Sequence, residues 1–154
     1  MLASLFEARG WPCEFVAEDE ISGEIKGSWA SYTLRGVWRR EDHVLQLLCL
    51  PDIRMPDEKR AAMFEVLALI NEQLWLGHFD YWSAENVVMF RHALLLPGGL
   101  EPTDEQAAAM IKAAIDRIKV DESGLENTCA AITSAVGKYA AGANRQKRKL
   151  VVII

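Results

Sequence analysis

Apolar and polar residues along this chain switch between a period of two and a period near 3.6, and the switches mark its elements. Leu2, Leu5 and Phe6 fall on one side of a short helix over Met1 to Arg9, with Gly10 as its stop. From Cys13 the period becomes two. Cys13 and Phe15, then Ile21, Gly23 and Ile25 against Ser22, Glu24 and Lys26, predict two short strands joined near Glu18 to Glu20. In SYTLRGVWR, Tyr32, Leu34, Gly36 and Trp38 oppose Thr33, Arg35, Val37 and Arg39, the pattern of a half-buried antiparallel strand. His43 to Leu50, HVLQLLCL, is apolar on both sides, which predicts a central strand covered on each face and ended by Pro51.

Helical spacing returns in PDEKRAAMFEVLALINEQLWLG. Pro56 opens the segment, Asp57 and Glu58 sit near the positive dipole end, and Gly77 stops it. Met63, Leu67, Ile70 and Leu74 make one stripe, while Phe64, Val66, Leu69, Trp75 and Leu76 extend the apolar surface beyond what a single sheet can cover. Those five residues are the expected protein-binding or dimer surface. HFDYWS and VVMFRHALLL then predict a hairpin turned at Ala84 to Asn86. After Pro97, Gly98, Gly99 and Pro102, a Thr103/Gln106 capping box precedes a stripe of Ala107, Met110, Ile111, Ala114, Ile115 and Ile118. Ser123 and Glu126 repeat the device before Leu125, Cys129, Ile132, Val136 and Tyr139. The expected fold is therefore α+β: an antiparallel sheet of about five to six strands with flanking helices. Residues 1–144 are expected to form a single domain, with 145–154 a basic, then apolar, tail.

Composition narrows the function classes. A 154-residue chain that is 51% hydrophobic suits one domain with a sizeable core, and a formal charge of −5 points away from nucleic acid and anionic membrane surfaces. The one cationic cluster, Arg145, Lys147, Arg148 and Lys149, reads as a solvated run, and the following LVVII is suited to adding to a sheet edge. Cys13, Cys49 and Cys129 are far apart without CxxC spacing, so neither a disulfide framework nor a zinc ribbon is expected. With no secretory-type start and no apolar run long enough to span a bilayer, a cytoplasmic protein is expected. No glycine-rich phosphate loop follows a strand.

The hairpin is the one stretch dense in chemistry. In one register Phe79 and Tyr81 pair with Phe90 and Val88, His78 faces Arg91 with Asp80 diagonal to it, and His92 lies on the opposite face. A slip of one residue instead brings His78 beside His92 with Asp80 near, a two-histidine, one-carboxylate metal site. The first register is expected because it gives a continuous apolar face; His78, Asp80 and His92 are the candidates for the competing reading, a small metal- or ligand-binding enzyme. Asp52, Arg54 and Arg60 are read as a solvated charged helix entrance, and Asn71 as a hydrogen-bond partner for a strand end. No catalytic residue and no cofactor are expected.

The runs LQLLCLPDIR, LINEQLWLGHFDYW and VVMFRHALLL, together with EISGEIKGSWASYTLRGVWR before them, resemble the YbjN family of bacterial proteins, described as sensory transduction regulators. The likeness is clearest over residues 20–116. It implies the fold of type III secretion chaperones, small α+β domains that are commonly dimeric, and regulation through protein contacts in place of a reaction. From Arg117 onward the chain departs from the family pattern, which leads us to expect a divergent or frame-shifted C-terminus.

Overall fold

A computed structural model describes residues 1–26, 31–51, 54–117 and 132–136 of the chain. Six strands form one antiparallel sheet: β1 (Cys13–Ala17), β2 (Glu20–Lys26), β3 (Ser31–Arg39), β4 (Val44–Pro51), β5 (His78–Trp82) and β6 (Val87–Leu95), in the order β1-β2-β3-β4-β6-β5. Helix α1 (Leu2–Glu7) precedes the sheet, α2 (Arg60–Asn71) follows a single 3-10 turn at Asp57–Lys59, and α3 (Asp104–Arg117) follows β6. Residues 132–136 are also helical, with Ile132 and Val136 buried. The Ser123/Glu126 capping box and the tail 145–154 lie outside the described residues.

Alternation along each strand decides which face is covered. Ile21, Tyr32, Leu34, Leu45, Leu47, Cys49, Phe90 and Phe79 share one face and are buried. Phe6 of α1, Met63, Val66, Leu67 and Ile70 of α2, and Ala107, Met110 and Ile111 of α3 complete the same core. Burying a side chain of this kind contributes roughly 1.5–3 kcal/mol. The opposite face is different. Val44, Gln46, Leu48 and Leu50 on β4 are only partly buried, so among the described residues this central strand has full cover on one side and not on both.

Two helix boundaries show local chemistry competing with tertiary demands. The Thr103 box forms as its spacing predicts: the Gln106 N–H donates to Thr103 Oγ1 (3.2 Å) and the Thr103 N–H to Gln106 Oε1 (2.9 Å). The long helix expected from Pro56 to Leu76 is shorter at both ends. It leaves α geometry at Asn71, where Gln73 N–H to Ile70 O and Leu74 N–H to Asn71 O tighten the chain into turns. The reason is the start of β5, because Asn71 must stay within reach of Phe79 (below). Among the described residues no helix is long and apolar enough to cross a membrane.

Candidate functional site

The hairpin adopts the register with the continuous apolar face. His78 is opposite Arg91, Phe79 opposite Phe90, Asp80 opposite Met89 and Tyr81 opposite Val88. Phe79 and Phe90 meet edge to face at 5.4 Å between ring centres, which fixes the pairing from within the core. His78 is exposed with Asp80 and Arg91 on the open face, while His92 shares the covered face with Leu47. Both Asp80 oxygens are engaged: Oδ2 accepts from Arg91 at 2.9 Å and Oδ1 from the Tyr81 N–H at 2.8 Å. In this register His78, Asp80 and His92 do not converge, and no group of three metal-type side chains occurs among the described residues.

His92 nonetheless carries a pH signature. Burial first, and the nearby His78 charge second, hold its pKa below the ordinary imidazole value of 6.5. The unfolded chain then takes up this proton at higher pH than the folded one. The stability contributed by keeping His92 neutral is therefore complete above about 6.5 and declines as pH falls toward the lower folded value. Urea midpoints measured from about pH 7 to pH 5 should fall in the native chain and fall less in His92→Gln. Equal slopes in the two proteins would remove His92 from this role.

At the other end of the hairpin, Asn86 adopts φ 55, the left-handed conformation that asparagine tolerates in turns. Its Oδ1 accepts from Tyr81 Oη (2.6 Å) and from Arg60 (3.2 Å), and its carbonyl accepts from the Met55 N–H. Arg60 also pairs with Asp57 at 2.6 Å and lies over the Tyr81 ring. Arg60 is thus committed to tying the start of α2 to the hairpin. Arg54 is exposed and forms an isolated bridge with Val87, and Asp52 lies outside the described residues. The Asn86 junction was not singled out from the sequence; an asparagine at the end of a four-residue turn is the signal that could have found it.

The α2 surface divides sharply. Val66, expected on the protein-binding surface, is fully buried in the molecule's own core, because the α2 face against the sheet extends to include it. Leu69 is half-buried. Phe64 is 52% exposed on the solvent side of α2, its ring edge-to-face with Tyr81. In the turns that follow α2, Trp75 is 88% exposed and Leu76 48%. An indole so open to water presents a large apolar area with nothing packed on it.

A family model named YbjN, with the description "Putative bacterial sensory transduction regulator", matches residues 1–125. The chain belongs to the YbjN family. The match extends beyond both limits of 20–116, so α1, β1 and α3 are part of the family unit. Among solved structures, the "Crystal structure of YbjN, a putative transcription regulator from E. coli" is similar, with 12% sequence identity and a TM-score of 0.51. That alignment covers 92% of this chain and 90% of the other. At this identity the likeness speaks to the YbjN fold alone. No curated protein matches the chain.

Proposed function

We propose that this YbjN-family chain is a non-enzymatic, chaperone-like regulatory domain that acts by binding protein, in the cytoplasm and as a homodimer, through a surface centred on Trp75. The exposure of Trp75 carries this reading. Tryptophan is enriched among the few residues that dominate protein interfaces, where burying it displaces much water at little entropic cost. Leu76, next to it in the chain, and Phe64, on the solvent side of α2, supply further exposed apolar area. The family description supports the regulatory class. The metal-enzyme alternative finds no support in a hairpin whose Asp80 oxygens are already engaged by Arg91 and the Tyr81 N–H.

Light scattering across micromolar concentrations tests the dimer. The native chain should show twice the monomer mass, and Trp75→Ala with Leu76→Ala should give the monomer. Because both side chains are exposed, the double variant should change monomer stability by no more than about 0.5 kcal/mol. A monomer mass for the native chain throughout that range would overturn the proposal.

A further inference from the structure

At the β5 edge of the sheet the outward Phe79 N–H donates to Asn71 Oδ1 (2.7 Å) and the Phe79 carbonyl accepts from Asn71 Nδ2 (2.8 Å). The next outward donor, Tyr81 N–H, is taken by Asp80 Oδ1. Side chains thus stand in for a neighbouring strand.

Among the described residues β1 has no such cover. The Pro12 carbonyl accepts from the Glu24 N–H at 3.0 Å, and Glu14 is opposite Ser22. Alternation along an antiparallel ladder therefore turns the N–H and C=O groups of Cys13 and Phe15 away from β2. No hydrogen bond among the described residues reaches them. The register shifts between Phe15 and Ala17, which limits the regular outward ladder to these two residues. Cys13 and Phe15 share the covered face with Gly23 and Ile21, and Glu14 lies on the open face with Ser22.

Each side of this edge has a receptacle of its own. On the covered face Phe15, 71% exposed, borders a notch of about 170 Å³ walled by Leu2, Ile21, Trp38 and Leu45. Toward the open face, Glu14 and Glu24 line a hollow of about 360 Å³ with Ser22 and Thr33. Neither glutamate has an ion pair among the described residues, and the guanidinium on the next strand, Arg35 opposite Ser22, is held by Glu20. The edge thus offers backbone groups between an apolar site and an uncompensated acidic one. A second copy of β1 does not match it. To use both outward residues of each copy, the two-fold axis must pass through Glu14, which then stands directly opposite its own counterpart, and like charges so placed repel. A strand with lysine or arginine at that position reverses the sign of the interaction. The residues on either side of that cation then turn to the covered face, where apolar side chains match Cys13, Phe15 and the notch.

We propose that the β1 edge accepts an extended segment of another protein that alternates apolar, basic, apolar, with its basic residue opposite Glu14. The contact is independent of the Trp75 surface.

The full-length chain is tested with a short capped peptide that has a lysine between two valines and threonines beyond them, and with the same peptide carrying glutamate for the lysine. The lysine peptide should slow amide hydrogen exchange of Cys13 and Phe15 roughly fivefold or more beyond the glutamate peptide. The Phe79 amide, already bonded to Asn71, should respond to neither. Glu14→Lys, at an exposed position that leaves the core untouched, should invert the preference. Trp75→Ala with Leu76→Ala should leave these responses unchanged, so this proposal and the dimer reading fail separately. Equal protection by both peptides, protection by neither, or a preference that Glu14→Lys does not invert would overturn the proposal. Protection without any peptide that fades on dilution would overturn it too, assigning the edge to a second copy.

Discussion

Gly77→Ala should cost the domain about 3 kcal/mol, close to the largest loss available from adding one methyl group. Gly77 adopts φ 69, a left-handed conformation in which an L side chain is strained by about 1 kcal/mol. Space adds the larger share. A Cβ at this position would overlap the Phe90 ring, lying 2.9 Å from its Cε2 atom and 3.0 Å from the Arg91 carbonyl oxygen. Phe90 is buried and held edge to face by Phe79, and the Arg91 carbonyl belongs to the β6 backbone, so neither can withdraw without disturbing the core or the hairpin. Gly98→Ala is the natural control: φ there is 78, but no atom lies within 4 Å of the added carbon. It should lose only the conformational part, about 1 kcal/mol. Urea unfolding of the two variants separates strain from overlap; equal losses would show that the Phe90 contact is yielding.

Asn71→Ala should be nearly as damaging, at about 2–3 kcal/mol. One carboxamide meets both the N–H and the C=O of Phe79, whose own side chain is buried, and alanine leaves both backbone groups at a site with limited access to water. Asn71→Asp is the informative companion. Its carboxylate can still accept from the Phe79 N–H, but it cannot donate to the Phe79 carbonyl and sets a negative charge against it. The aspartate variant should recover little of the loss. Unfolding measurements, with exchange of the Phe79 amide as the local readout, decide the matter. If Asn71→Ala unfolds within about 0.5 kcal/mol of the native chain, the carboxamide is not what holds the β5 edge.

These residues also show which features were legible in the sequence. The hairpin register followed from alternation alone, since only one pairing joins Phe79, Tyr81, Phe90 and Val88 into an apolar face. The Thr103 box and the role of Asn71 followed from residue type and spacing. The end of α2 did not. Leu74, Trp75 and Leu76 continue the apolar pattern, yet the helix stops at Asn71 because a contact eight residues away outweighs local propensity. Val66 and Phe64 were equally apolar on paper, and only the placement of the sheet separates one in the core from one facing solvent. Strand order was similarly out of reach: nothing in the periodicity of β4 or β6 states that they are neighbours, because such pairing is decided by docking after α2 has crossed over.

The way side chains finish the β5 edge has a consequence for symmetry. A sheet with two bare edges can stack head to tail, each copy offering the next the same pair of surfaces, and such a series need not close. Here the outward N–H and C=O of Phe79 and the N–H of Tyr81 are taken by the Asn71 and Asp80 side chains of the same chain, so a further strand finds no free ladder at β5. Growth through the sheet is therefore blocked at that edge, and a head-to-tail series, which needs both edges, cannot propagate into a fibre.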